Sequence, residues 1–358
     1  MNKKLIELGL NDEIFKEFES KYKGLYLGRV IAEYKGLYKV ATEEDVVLSK
    51  VSGKIIYNAI DKSSYPAVGD WVAIDRKNND EGNGIINGVL DRRSKISRKV
   101  AGQEIDEQVI ASNINTIFIC MSANNDFNLR RLERYISIAW NSGALPVVVL
   151  TKEDLCDEVD VLIEKVEEVA IGIDIICVSS LTGKGIECVY KYIKPGETVV
   201  FIGSSGVGKS SLINSIIGEE RLKVNDIRVD DDRGKHTTTN RELIVLPEGG
   251  IVIDTPGMRE IQILDDVDNI DDSFSDVVEL SNKCKFSDCN HKTEPGCAIK
   301  AAIQSGQLSL KRLESYNKLK KEAEYIKRKL DIKAQSENKK KWIKINKEIR
   351  ANKKKIHY

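Results

Sequence analysis

The stretch Gly203–Ser211, GSSGVGKSS, follows the apolar run TVVFI and opens the apolar-periodic segment SSLINSIIG. Strand, glycine-rich turn and helix in that order are the context in which G-x4-G-K-[ST] forms a phosphate-binding loop. Backbone N–H groups of Gly203, Ser204, Ser205, Gly206, Val207 and Gly208 can then turn toward an anion. Lys209 is placed to reach β- and γ-phosphate oxygens and Ser210 to ligate Mg²⁺, with Ser211 next to them. The expected core is therefore an α/β nucleotide domain.

Behind this loop, Asp254-Thr255-Pro256-Gly257 ends the apolar strand GGIVID. A carboxylate there can hold Mg²⁺ through water, and the Gly257 N–H can turn to a γ-phosphate. Between the two motifs, Gly234-Lys235-His236-Thr237-Thr238-Thr239 follows the acidic DIRVDDDRG. One of Thr237–Thr239 can complete the Mg²⁺ shell, as a switch segment does; a plain polar loop is the alternative. No [NT]KxD follows the phosphate loop. One precedes it: Thr151-Lys152-Glu153-Asp154 closes the strand LPVVVL. Asp154 can accept both guanine N1–H and N2–H₂ while the Lys152 stem lies along the ring, a donor pair that adenine lacks. Ser179-Ser180-Leu181-Thr182-Gly183 after DIICV supplies a loop N–H for guanine O6. The base-reading half thus precedes the phosphate half, which makes a circularly permuted, mostly parallel GTPase domain whose last motif leads directly into the C-terminal region.

Outside this core the pattern changes. A helical stretch is expected over 3–18, then GLYLGRVIAEY, GLYKVAT, VVLSKVSG, VGDWVAID and GIINGVL alternate with period two between glycines. Five short strands in this span suggest a small barrel or sandwich, with an OB-fold as one candidate. From 108 to 265, apolar strands alternate with helices expected at 129–142, 157–169, 184–193 and 209–217. Apolar residues make 41% and charged residues 31% of the chain, and its longest apolar runs are far too short to span a bilayer. Glu7, Asp12 and Glu13 interrupt the N-terminal segment, so no secretory signal and a cytoplasmic location are expected. The net charge of zero conceals 18 Lys/Arg against 6 Asp/Glu from Lys311 to Tyr358, a basic tail that is either a solvated face or a phosphate-backbone contact.

Seven cysteines, an odd number, argue against a disulfide framework. Cys120, Cys156, Cys177 and Cys188 read as buried small hydrophobes. Cys284-x4-Cys289-x-His291-x5-Cys297 instead places three thiolates and one imidazole within 14 residues. That donor set suits a closed, structural Zn²⁺ site, supplying folding energy to a segment too small for a core of its own.

The permuted order TKED, SSLTG, GSSGVGKSS, GKHTTT, DTPG, followed by the zinc knuckle with its EP-x-CA ending, resembles the RsgA (YjeQ) family of bacterial small-ribosomal-subunit GTPases. The resemblance implies an N-terminal OB-fold barrel (1–97), a permuted GTPase domain (98–268) and a zinc-binding helical domain with the basic tail (269–358). It also implies an enzyme that hydrolyses GTP to GDP slowly alone and faster on the small subunit, late in that subunit's maturation. The implied partners are GTP/GDP and small-subunit rRNA, with no membrane, and the chain is expected as a monomer. By position, Thr151, Lys152 and Asp154 read guanine, Gly203–Ser211 hold phosphates, and Cys284, Cys289, His291 and Cys297 bind zinc. The family more often has Asn where this chain has Thr151. After DTPG comes Met258 where many GTPases carry a water-orienting glutamine, so His236 is the candidate water-positioning residue, with RNA contact as its alternative. Trp71 and Trp342 could stack on bases, though Trp71 within VGDWVAI reads more simply as core. Rival readings are a large-subunit permuted GTPase, a non-catalytic RNA scaffold using GTP as a conformational ligand, and a zinc-delivering GTPase.

Overall fold

The N-terminal stretch forms two helices rather than one, α1 (Lys3–Glu7) and α2 (Asp12–Lys21). Gly9 breaks them: its φ is +87°, and a Cβ there would lie 2.5 Å from the Gly196 carbonyl oxygen. Asn11 then restarts the helix by accepting the Ile14 N–H at 3.0 Å. The computed structural model describes residues 2–321 apart from 60, 80–81, 100–106, 125, 219–240, 255–270, 272–273, 287–288 and 293.

The period-two segments close into a barrel of β1 (Tyr26–Tyr34), β2 (Leu37–Ala41), β3 (Val46–Val51), β4 (Trp71–Ile74) and β5 (Gly84–Val89). The ring order is β1-β2-β3-β5-β4 and back to β1, with β3 and β5 parallel and the other pairs antiparallel. Helix α3 (Gly53–Asn58) leaves β3, the OB arrangement. Val30, Val40, Val47, Val72, Ile74 and Ile86 fill the interior. Trp71 is 2% exposed and therefore core, not a free stacking platform. The buried Arg29 guanidinium lies 5.4 Å over its ring and donates to the carbonyls of Leu8 and Gly69 and to Thr198 Oγ1. Burial pulls that guanidinium down to about 10, against the pull of Asp70.

A two-stranded ribbon that the sequence pattern did not flag, β6 (Lys95–Lys99) and β7 (Glu107–Ser112), follows the barrel. Beyond it run β8 (Thr116–Ser122), α4 (Leu129–Ser142), β9 (Leu145–Thr151), α5 (Val159–Glu167), β10 (Asp174–Val178), α6 (Ile186–Tyr190), β11 (Thr198–Ile202), α7 (Lys209–Ile217), β12 (Arg241–Val245) and β13 (Ile251–Asp254). Every residue of β8 and β11 is buried, as a sheet covered on both faces requires. The spatial order is β10-β9-β8-β11-β13-β12; all neighbours are parallel except β12. The chain steps outward from β8 to β9 and β10, then returns to place β11 on the other side of β8. That reversal makes the β8/β11 carboxyl ends a topological switch point, where α/β sheets bind ligands. Strand β12, antiparallel to β13, also pairs antiparallel with β1 (Ala32 opposite Glu242), and Arg241 Nη1 meets Glu33 Oε2 at 2.8 Å, so barrel and parallel sheet are one continuous eleven-stranded sheet.

The described residues divide into two compact units, and the second follows residue 270. It comprises α8 (Ser275–Asn282), α9 (Ala298–Gln304) and helical residues 310–321. Contrary to expectation it has a small core: Phe274, Val277 and Ile299 are fully buried. Arg312 lies 4.7 Å over the Phe274 ring and pairs with both carboxylate oxygens of Asp276 at 2.6 and 2.8 Å. Of the four scattered cysteines only Cys120 is buried; Cys156, Cys177 and Cys188 are partly exposed. Among the described residues no helix is long and apolar enough to cross a membrane.

Candidate functional site

At the carboxyl end of β11, Gly203 takes φ +146°, and a Cβ there would fall 2.4 Å from the Cys120 carbonyl oxygen of β8. Only glycine lets the loop leave the sheet this close to its neighbour. Ser205 and Gly206 are exposed, Val207 is buried, and α7 begins at Lys209. Lys209 Nζ donates to the Gly203 and Ser204 carbonyls at 2.8 and 2.5 Å, which holds the ammonium within the loop's curve. The first N–H groups of α7 have no partner within the helix, so they and the helix dipole favour an anion here. Ser210 and Ser211 occupy the first turn of α7, half-buried.

Two strands away, β9 ends in the motif Thr151-Lys152-Glu153-Asp154. The buried Thr151 hydroxyl donates to the Val207 carbonyl of the phosphate loop and lies 3.4 Å from the Met121 carbonyl. One hydroxyl proton therefore suffices for the tie between the two loops. Lys152 takes left-handed backbone (φ +57°) and donates from Nζ to the Gly206 carbonyl at 2.7 Å, laying its stem across the loop. Asp154 lies in the short 3-10 turn Glu153–Leu155. Its Oδ1 accepts the Ser179 hydroxyl at 2.5 Å, and Ser179 Oγ in turn lies 3.2 Å from the Thr182 N–H. The carboxylate that would read guanine is thus oriented by the loop that would meet O6. Glu153 pairs with Lys184 at 2.6 Å on the outside of the same junction, and Ser180 is half-buried beside it.

Asp254 terminates β13, one residue past Ile253, which pairs with Val200 of β11. The structure therefore brings together the ends of β9, β10, β11 and β13, carrying Thr151–Asp154, Ser179–Ser180, Gly203–Ser211 and Asp254. His236, Thr237, Thr238, Thr239, Gly257 and Met258 lie outside the described residues, as does Trp342. No motif signalled Asp126 and Arg131, from the loop after β8 and the first turn of α4, both of which bond Ser204 Oγ.

In the other unit, Cys284, Cys289, His291 and Cys297 bring their ligand atoms within 4.8 Å of one another. Cys284 Sγ and Cys297 Sγ are 3.9 Å apart, and His291 Nδ1 lies 3.6 and 3.4 Å from them. Four-coordinate geometry at zinc–sulfur lengths gives edges of about 3.8 Å between sulfurs, so this donor set fits a tetrahedral metal ion. His291 reaches it from left-handed backbone (φ +58°). Ser281 Oγ lies 3.3 Å from His291 Nε2, leaving Nδ1 as the ligating nitrogen, an outer partner that the cysteine spacing did not reveal. The Lys300 N–H donates to Cys297 Sγ at 3.4 Å at the start of α9. Burial alone would raise the Cys284 thiol; the N–H groups of Ile299 and Ala298 help hold it below its ordinary value.

A family model described as RsgA GTPase matches residues 89–264, and one described as 50S ribosome-binding GTPase matches residues 198–347. The small ribosomal subunit biogenesis GTPase RsgA 2 of Lactiplantibacillus plantarum is 45% identical, covering 90% of each chain. Among solved structures, YjeQ from Thermotoga maritima is similar at TM-score 0.61 and 28% identity, over 84% of this chain and 98% of that one. YloQ, described as a circularly permuted GTPase, is similar at TM-score 0.57 and 25% identity, over 85% of this chain and 96% of that one.

Proposed function

The chain belongs to the RsgA family of GTPases, and from that premise we propose that it hydrolyses GTP to GDP and phosphate on the small ribosomal subunit during late maturation. The observation that carries this is the Thr151–Lys152–Asp154 motif, whose Thr151 and Lys152 bond across the sheet to the phosphate loop some fifty residues later in the chain while Asp154 accepts the Ser179 hydroxyl. In this reading Asp154 and Lys152 select guanine, with Ser179 orienting Asp154 and Ser180 beside it. Gly203–Ser211 hold the phosphates through backbone N–H groups, and Lys209 exchanges its carbonyl partners for β- and γ-oxygens. Ser210, Asp254 and one of Thr237–Thr239 would hold Mg²⁺, which when bound supplies charge neutralisation between β- and γ-phosphates. An apolar Met258 cannot orient water, so turnover by the chain alone is slow, and His236 positions the attacking water when the chain is on the ribosome.

The Cys/His cluster takes zinc, since three thiolates and an imidazole on a closed site match its ligand preference and leave no position for chemistry. The functional parts are the barrel (1–97), the permuted GTPase domain (98–268) and the zinc-binding helical domain with its tail (269–358), acting as a cytoplasmic monomer. The basic tail and the barrel contact rRNA, an attraction that weakens with salt.

Steady-state GTP hydrolysis, alone and with purified small or large ribosomal subunits, tests the reading. Stimulation by the small subunit and not the large one is the expected result. Stimulation by the large subunit would favour the function named by the second family description. Tight GTP binding with no stimulation by either would replace the enzyme with a GTP-responsive RNA scaffold.

A further inference from the structure

The loop after β8 emerges at the switch point beside the loop after β11, because the two strands are parallel neighbours (Ile119 opposite Ile202). That loop and the first turn of α4 carry a charged pair that none of the nucleotide motifs contains. Asn128 caps α4 by accepting the Arg131 N–H at 3.1 Å, which fixes where the Arg131 side chain starts. The guanidinium then meets both carboxylate oxygens of Asp126, at 2.9 Å (Nη1 to Oδ2) and 3.0 Å (Nη2 to Oδ1). The remaining reach of Nη1 goes to the phosphate loop, where it donates to Ser204 Oγ at 2.6 Å. Ser204 Oγ in turn donates to Asp126 Oδ2 at 3.2 Å, closing a three-residue ring of bonds.

Ser204 is thereby held from both sides. Its hydroxyl is fixed by Arg131 and Asp126, and its carbonyl accepts Lys209 Nζ. The pair is partly exposed, with Arg131 at 28% and Asp126 at 48% of their side-chain surfaces, so as a surface ion pair it adds little to global stability. Its consequence is local. A phosphate loop already fixed in its binding shape loses less conformational freedom when nucleotide arrives.

On the premise that this is a guanine-nucleotide site, we propose that Asp126 and Arg131 are positioning residues that pre-organise the phosphate loop through Ser204. They act on nucleotide affinity and residence rather than on selection of the base. The Asp126 carboxyl is held below its ordinary value chiefly by the Arg131 hydrogen bonds, with Ser204 and the Lys152 charge adding to the effect, so the pair is ionised at neutral pH.

The test measures release of a fluorescent GDP from the full chain carrying Arg131→Ala, Ser204→Ala or both, alongside nucleotide-free thermal unfolding. The expected result is release faster by about tenfold in each single variant, with unchanged unfolding temperature and KM raised more than kcat is lowered. The double variant should release no faster than the worse single one, because both changes remove the same contact. Arg131→Lys, which keeps the charge and loses the fork, should recover part of the effect. Should Arg131→Ala not fold, Asp126→Asn removes the charge at constant shape and should speed release in the same way. Unchanged release, or strictly additive losses, would overturn the proposal. Failure of the underlying reading is distinguishable: the unmodified chain would then not prefer GDP to ADP.

Discussion

The nucleotide site and the Cys/His cluster both gather charge, and they do it with opposite distributions along the chain. The cluster draws four side chains from Cys284 to Cys297, and its ligand atoms approach one another within 4.8 Å. The nucleotide site draws on the ends of β9, β10, β11 and β13, from Thr151 to Asp254, and much of what it offers is backbone N–H. In the first, each ligand is a large share of a single bond set. In the second, the sheet supplies the geometry, and single side chains tune affinity and selection by degrees. Loss of one member should therefore be all-or-none in the cluster and graded in the nucleotide site.

The sharpest way to break that contrast is Cys297→Ser, or removal of metal by a strong chelator. Structural zinc sites contribute on the order of 10 kcal/mol of apparent binding free energy, so the packing of Phe274, Val277 and Ile299 should be lost as a unit, read by amide exchange over 274–321. A graded response there would erase the distinction. Next in size is Asp154→Asn. An amide offers one acceptor and one donor where guanine needs two acceptors, so GTP affinity should fall by at least about 10²-fold while xanthosine triphosphate binding improves. Binding titrations with both nucleotides decide it. Thr151→Val is smaller. It leaves the Val207 carbonyl without the Thr151 hydroxyl, costing about 1–3 kcal/mol, and should weaken guanine and adenine nucleotides alike if the hydroxyl serves the loop rather than the base.

The smallest effect is that of pH on the Asp126 contact. Its carboxyl titrates below the ordinary carboxylate value of about 3.9, so the contact contributes fully above that value and is lost only as pH falls through the lowered one. GDP release attributable to Asp126 should thus be flat from weakly acidic to neutral pH, and Asp126→Asn should raise the rate without adding a pH step in that range.

Legibility differed by kind of signal. Helix α4 lies at the expected 129–142 because Asn128 and Gly143 cap a strongly amphipathic run. The strands of the parallel sheet were legible because burial on both faces requires continuous apolar residues. The single helix expected over 3–18 missed the Gly9 turn, whose left-handed backbone and contact with Gly196 are demands of a partner far along the chain. The β6–β7 ribbon was missed because polar side chains link its strands, Lys95 to Glu107 and Arg98 to Gln108, rather than alternate in hydrophobicity. In the cluster the four ligands stood out by spacing, while Ser281 did not, since a lone serine carries no pattern until the fold sets it against His291 Nε2.

The amino-acid sequence by itself determined which motifs the chain carries and in what order: TKED, GSSGVGKSS, DTPG, then three cysteines and a histidine. These are local patterns, set by residue type at fixed spacing. Only the tertiary structure decided that β12 runs antiparallel onto β1 and fuses barrel and sheet, and that Arg29 lies buried over Trp71 with Thr198 as a partner. It alone decided that Thr151 bonds the Val207 carbonyl and that Arg131 bonds Ser204. Such contacts join segments tens to hundreds of residues apart. They follow from strand order and register, which local periodicity does not specify.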